Sequence, residues 1–89
     1  MNICYQVQVK GIVQGVYFRA SCQQQAIEYG LTGYAHNLDN GDVEVLVCGE
    51  ESNVAKMVSW LEQGPDTATV EQCKADQVKW RDLSHFSIG

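Results

Sequence analysis

The chain has 89 residues, of which 45% are hydrophobic and 19% charged, a composition typical of one folded domain rather than a disordered chain. Its formal net charge of −5 and pI of about 4.7 are unfavourable for a nucleic-acid partner, whose phosphate backbone is bound through clustered Lys and Arg. The sequence contains neither an apolar stretch of the ~20 residues that span a membrane nor a basic, apolar leader, so we expect one cytoplasmic domain over residues 1–89 with no membrane partner.

Hydrophobic periodicity predicts four strands and two helices. The odd residues from Ile3 to Val9 are apolar and alternate with mostly polar ones, as in a half-buried strand. Apolar residues at i, i+3, i+4 and i+7 from Val54 to Leu61 predict an amphipathic helix, and Cys22, Ala26 and Ile27 form the apolar stripe of an earlier one. In chain order the predicted elements are a strand at residues 3–10, a helix at 19–29, strands at 31–37 and 42–48, a helix at 51–63 and a strand at 69–75.

This order, β-α-β-β-α-β, is typical of the ferredoxin-like α+β sandwich, in which two helices cover one face of an antiparallel sheet. Residues 85–88 are a candidate for a short extra strand. In this fold the first and second strands run in the same direction on either side of the third. We therefore expect the loop after the first strand to lie near Asn37, at the end of the second.

The segment from Gly11 to Arg19 is a glycine-bearing turn between a predicted strand and a predicted helix. Gly15 can adopt a positive φ, and the loop N–H groups at the positive end of a helix would suit an oxyanion such as phosphate. Arg19, the only Lys or Arg between Gly11 and Ala55, could add charge-assisted hydrogen bonds. The residues alone leave open whether this is an anion site or a plain turn with a solvated arginine.

The same segment differs from three other phosphate-binding motifs. It lacks the Gly-Lys-Ser/Thr ending of a Walker A loop and the three glycines of the dinucleotide fingerprint. It also contains no cysteine that could act as the nucleophile of a phosphatase loop.

Asn37 has two interpretations. Its amide could hold a water molecule through its carbonyl and contact a phosphate through its NH₂ group. Alternatively, it could stabilise the following hairpin turn through the backbone, as asparagines often do. The sequence alone favours the second interpretation.

Two segments resemble the signatures of the acylphosphatase family. Residues Gly11 to Arg19 (GIVQGVYFR) resemble the first signature. Residues Gly33 to Asn37 (GYAHN), followed by Gly41, Val43 and Gly49 at the family's spacing, resemble the second. The likeness extends over nearly the whole chain in length and element order.

The resemblance implies a hydrolase that splits the carboxyl–phosphate bond of a small acyl phosphate, releasing a carboxylate and inorganic phosphate. It implies no metal, no cofactor and no covalent enzyme intermediate. Arg19 matches the phosphate-binding arginine, and Asn37 matches the asparagine that positions the attacking water. The phosphate-binding loop would then comprise Gln14, Gly15, Val16, Tyr17, Phe18 and Arg19. The side chain of Tyr17 could edge the acyl group or be exposed to solvent, and the sequence does not choose.

The sequence departs from the family pattern at three places. Ile12 stands where a basic residue is common, and His36 where lysine, arginine or glutamine is more usual. Both changes reduce positive charge near the loop. Gly89 stands where an aromatic or basic ending is often found, which leaves open whether the last residues contact the loop.

The four cysteines, Cys4, Cys22, Cys48 and Cys73, form no CxxC pair, so a zinc site is not predicted. Cys4 and Cys48 are expected on the helix-free face of neighbouring antiparallel strands, where the start of one lies beside the end of the other. The two sulfurs could then be within bridging distance. A reducing cytosol favours free thiols, so the sequence leaves both states open.

Three functional classes compete on this sequence. The first is a monomeric acylphosphatase, and the second is a non-enzymatic ferredoxin-like module that binds a small anion or regulates a partner. Only the first requires Asn37 to act with Arg19. An RNA-binding module of the same fold order is disfavoured by the acidic balance and by the lack of stacking aromatic residues at 42–48.

Overall fold

The computed structural model describes residues 1–89 and contains five strands and two helices. Each element agrees in type and order with the sequence prediction, and residues 86–88 do form a fifth strand. The bounds are β1 Asn2–Ile12, α1 Phe18–Glu28, β2 Thr32–Asn37, β3 Val43–Glu50, α2 Glu51–Leu61, β4 Thr69–Val78 and β5 Phe86–Ile88.

The five strands form one sheet in the order β4-β1-β3-β2-β5. The pairs β1–β3, β1–β4 and β2–β3 are antiparallel, as predicted for the ferredoxin-like fold. The short extra strand β5, which the sequence left as a candidate, pairs parallel to β2 and makes the sheet mixed at that edge. Two hydrogen bonds hold β5 there: the Gln23 side chain donates to the Phe86 carbonyl at 2.8 Å, and the Gly33 N–H donates to the His85 carbonyl at 3.1 Å.

Both helices pack on the same face of the sheet, over one hydrophobic core. The core contains Ile3, Val7 and Val9 of β1 and the three inward valines of β3, as the alternation predicts, and Tyr5 packs against it. Helix α1 contributes Phe18, Cys22 and Ala26, which lie four residues apart. The prediction that Ile27 belongs to this stripe is wrong, since its side chain is 66% exposed. Phe18, predicted to end the loop, is instead the first residue of α1, and its side chain completes the buried stripe.

A smaller cluster covers the opposite face of the sheet. Cys4, Leu46 and Cys48 are buried there, and the segment after β4 lays Leu83 against them. Cys4 faces Cys48 across β1 and β3, and their sulfurs are joined as a disulfide. The predicted proximity of these two cysteines is therefore confirmed.

Neither helix of the structure combines the length and the apolar character required to cross a membrane.

Candidate active site

A cavity of about 310 Å³ lies where β1 gives way to α1, beside the end of β2. Arg19 and Asn37 both line it, so the fold brings together the two residues that the sequence singles out. Arg19 comes from the first turn of α1 and Asn37 from the last position of β2. The remaining lining residues are Val13, Gly15, Tyr17, Phe18, Ala20 and Ile88.

The predicted phosphate-binding loop contributes only part of its length to this cavity. Gly15, Tyr17, Phe18 and Arg19 line the cavity, whereas Gln14 and Val16 do not. The side chain of Gln14 instead donates to carbonyls of the β2–β3 turn. The Val16 carbonyl accepts a hydrogen bond from the Thr67 hydroxyl at 2.6 Å, from the segment that follows α2.

The loop turns into α1 through two residues with left-handed backbone conformations. Gly15 has φ 74°, in the positive range that a glycine can adopt, and Tyr17 has φ 62° and ψ 22°. Tyr17 is the only residue other than glycine with a positive φ, and such strain is typically found at functional sites. Its side chain is 80% exposed, although the residue also lines the cavity.

The backbone N–H groups from Gly15 to Arg19 donate to no other group of the protein. The first N–H groups of a helix have no intrahelical acceptor and carry its positive dipole end. Helix α1 begins at Phe18 and has no acidic residue in its first turn. These donors and the Arg19 guanidinium therefore give the cavity a positive character within an acidic protein.

Arg19 is half-buried, and its Nη1 donates to the backbone oxygen of Gly89 at 2.6 Å. The question that the sequence left open is thus answered, since the last residue does contact the arginine of the loop. This contact uses one of the five N–H donors of the guanidinium, and the others stay available for an anion.

Asn37 is exposed, and its side chain forms no hydrogen bond within the protein. The turn after it is closed by the Leu38 N–H to Asp42 carbonyl bond at 2.8 Å and the Gly41 N–H to Leu38 carbonyl bond at 3.2 Å. The Asn40 side chain, not that of Asn37, caps this turn, because it accepts from the Asp42 N–H at 3.0 Å. The turn-stabilising interpretation of Asn37 is therefore not supported.

An aromatic pair lies beside the site on β2. The rings of Tyr34 and His36 stack with centroids 4.3 Å apart, and the His36 ring lies against Gly89. The Tyr34 hydroxyl donates to the Glu44 carboxylate at 3.0 Å. Burial and Glu44 raise the pKa of Tyr34, and Arg81 opposes this shift. His36 is thus packed between Tyr34 and the end of the chain rather than being a solvated strand residue.

A sequence model of the acylphosphatase family matches residues 5–88. The chain belongs to the acylphosphatase family. It is 56% identical over 89 residues to an acylphosphatase of Colwellia psychrerythraea, covering 100% of both chains.

Solved structures agree with this assignment. An acylphosphatase from Coxiella burnetii matches with a TM-score of 0.95 at 39% identity, over 99% of this chain and 93% of that one. The Bacillus subtilis acylphosphatase matches with a TM-score of 0.91 at 32% identity, over 100% and 99% of the two chains. These comparisons confirm the resemblance and the fold class. They favour an enzyme that hydrolyses acyl phosphates over a non-enzymatic anion-binding module.

Five contributors to the site were not predicted from the sequence, among them Ala20, which lines the cavity. Val13 and Ile88 line the cavity, Thr67 holds the loop carbonyl, and Gly89 contacts Arg19. Three of them lie far from the loop in sequence and carry no local motif. Val13 and Ala20 are next to the loop, but an apolar side chain there indicates only burial.

Proposed function

We propose that this acylphosphatase acts on small acyl phosphates through direct attack of water, with Arg19 binding the phosphoryl group and Asn37 orienting the water. The observation that carries the proposal is that Arg19, Asn37 and unpaired loop N–H groups surround one cavity. The products are a carboxylate and inorganic phosphate.

The phosphoryl group binds against the loop. The Arg19 guanidinium and the N–H groups of Gly15, Tyr17 and Phe18 donate to its non-bridging oxygens. In the transition state the phosphoryl charge is spread over three equatorial oxygens, and donors preorganised around that planar arrangement stabilise it. Tyr17 and Ile88, at the edge of the cavity, face the acyl portion of the substrate.

Water attacks phosphorus opposite the acyl oxygen. The Asn37 amide accepts a hydrogen bond from this water and fixes its direction. The new P–O bond forms as the P–O bond to the acyl group breaks, and the carboxylate leaves with the bonding electrons. The proton of the water passes to a non-bridging oxygen of the phosphoryl group, because no side chain of the cavity is a general base.

The reaction needs little further assistance. A carboxylate is a good leaving group, so neither a proton donor nor a Lewis acid is required at the leaving oxygen. We therefore expect hydrolysis to be independent of added metal and insensitive to EDTA.

The test is hydrolysis of benzoyl phosphate in EDTA by the wild type, Arg19→Ala, Arg19→Lys and Asn37→Ala. Arg19→Ala should lose about 10²-fold or more in kcat/KM, and inorganic phosphate should no longer inhibit this variant. Arg19→Lys should recover little, because an ammonium group lacks the planar fork. Asn37→Ala should lose about 10²-fold in kcat while phosphate still inhibits.

Two exposed residues provide matched controls. Lys56→Ala removes a cation from the surface of α2, and Asn2→Ala removes an asparagine from the start of β1. Both should retain wild-type rates. A folded wild type without activity in EDTA would overturn the proposed mechanism, as would full activity in Asn37→Ala.

We also propose that the enzyme is a monomer in the cytoplasm. Arg19, Asn37 and the loop N–H groups supply every protein group that the proposed mechanism uses, so that mechanism requires no second subunit. Light scattering after size-exclusion chromatography tests the oligomeric state, and cell fractionation tests the location.

A further inference from the structure

The side chain of Gln14 joins the phosphate-binding loop to the turn that follows Asn37. Its Nε2 donates to the Leu38 carbonyl at 2.8 Å and to the Asp42 carbonyl at 2.9 Å. Only the NH₂ group of an amide can serve two carbonyl acceptors, so the partners themselves fix the orientation of this side chain. The bonds therefore span 24 and 28 residues and connect the two halves of the site.

The two carbonyls belong to a turn that is already rigid. Each one also accepts the backbone bond that closes the turn, from Gly41 and Leu38 respectively. The buried Asp42 carboxylate accepts from Gln8 Nε2 at 2.7 Å and from Asn40 Nδ2 at 3.2 Å. Gln14 thus attaches the loop to a turn that is itself fastened to β1.

We infer that Gln14 is a positioning residue that sets the distance between the phosphate-binding loop and Asn37. The inference rests on the proposed function. Leu38, one of the acceptors, directly follows Asn37 in the chain, so a shift of Gln14 relative to Leu38 changes where the water stands relative to phosphorus. In-line attack is sensitive to such shifts, since a displacement of about 1 Å can cost on the order of 10²-fold in rate.

A second bond holds the other flank of the loop. The Thr67 hydroxyl donates to the Val16 carbonyl, but Thr67 is exposed and its bond competes with water. Gln14 is partly buried, and its two acceptors lie within the protein. The loop position relative to Asn37 therefore depends on Gln14 more than on Thr67.

Two variants of similar shape remove the donor. Gln14→Met keeps the length of the side chain without polar atoms. Gln14→Glu replaces the NH₂ group by a carboxylate oxygen that faces two carbonyl oxygens. Both carbonyls keep their backbone partners, so the turn stays closed and Gln14→Met is expected to fold. Gln24→Glu, on the exposed face of α1, is the control for the charge change.

The experiment measures kcat, KM, inhibition by inorganic phosphate and urea unfolding for these variants with benzoyl phosphate. We expect Gln14→Met and Gln14→Glu to lose about 10-fold to 10²-fold in kcat. Phosphate inhibition should change little, because Arg19 and the loop amides move together. Gln24→Glu should match the wild type.

The pH profile separates positioning from a general loss of stability. When the carboxylate introduced by Gln14→Glu is protonated, it regains one O–H donor. The ratio of Gln14→Glu activity to wild-type activity should therefore rise as the pH falls towards about 4.3, the ordinary pKa of a glutamate side chain. Gln14→Met has no such group, and its ratio should stay flat.

The possible results are distinguishable. If folded Gln14→Met retains kcat within about twofold of the wild type, the inference is wrong while the proposed function stands. If phosphate inhibition falls in parallel with kcat, Gln14 supports phosphate binding rather than the position of the water, and the inference is again wrong. An inactive wild type would instead remove the proposed function itself.

Discussion

Cys4 and Cys48 face each other on adjacent strands, with their Cα atoms 4.1 Å apart, and form the one disulfide of the protein. The bond joins the start of β1 to the end of β3. It lies on the helix-free face of the sheet, away from the Arg19 cavity.

Breaking this disulfide should lower stability without removing activity. The free energy of unfolding should fall by roughly 2–4 kcal/mol. The upper value, about 4 kcal/mol, is the loop-closure entropy of the unfolded chain for a sequence separation of 44 residues. This loss is measured by urea unfolding of three samples: the oxidised protein, the protein in dithiothreitol and the Cys4→Ala/Cys48→Ala variant. Cys73→Ser in the oxidised state is the control, and an equal unfolding midpoint with and without dithiothreitol would contradict the prediction.

The left-handed backbone conformation of Tyr17 should lower the free energy of unfolding, and a glycine at this position should avoid that cost. A residue with a Cβ loses roughly 1–2 kcal/mol in this conformation, and glycine does not. The exposed ring loses little packing in either variant. Tyr17→Gly should therefore be about 1 kcal/mol more stable than Tyr17→Ala in urea unfolding. Equal stability of the two variants would show that the loop relaxes when the ring is removed.

Cys22 should make the free energy of unfolding fall at alkaline pH. Burial raises the pKa of this thiol from 9.0 to about 12. The folded chain then holds its proton more tightly than the unfolded chain does. The contribution of Cys22 is complete below pH 9.0 and is lost as the pH rises from there towards about 12.

The measurement is urea unfolding at increasing alkaline pH for the wild type and Cys22→Ala. About one pH unit above the unfolded-state pKa, the wild type should lose about 1 kcal/mol more than the variant does. The variant begins from a lower stability because it leaves a gap beneath α1, so the two slopes are compared rather than the absolute values. Parallel slopes would contradict a buried, protonated thiol. The other free cysteine, Cys73, is only half-buried. Burial and Glu62 raise its pKa as well, but iodoacetamide should label Cys73 before Cys22.

Local patterns predicted the elements where burial follows sequence periodicity. The alternation from Ile3 to Val9 placed β1 correctly because one face of that strand is buried and the other is not. Helix α2 was predictable for the same reason. Helix α1 was harder, because the buried Phe18 lies at its first position, and Ile27, which the pattern placed in the buried stripe, is exposed.

The site itself was predictable only in its local part. Gly15, Tyr17, Phe18 and Arg19 are neighbours in sequence, and Asn37 follows from the strand directions of the fold. The bonds that hold them could not be predicted, since Gln14 reaches the β2–β3 turn and Arg19 reaches Gly89 across large sequence separations. A glutamine in a loop carries no sign of its acceptors.

The site collects its parts from almost the full length of the chain. The loop comes from the first quarter, Asn37 from the middle, Thr67 from after α2, and Ile88 from β5. During synthesis, a nascent chain would carry the arginine and the asparagine long before the last wall of the cavity existed. Catalysis would therefore begin only when β5 has left the ribosome and docked beside β2. In refolding, activity would therefore return when the sheet is complete and not when the helices form.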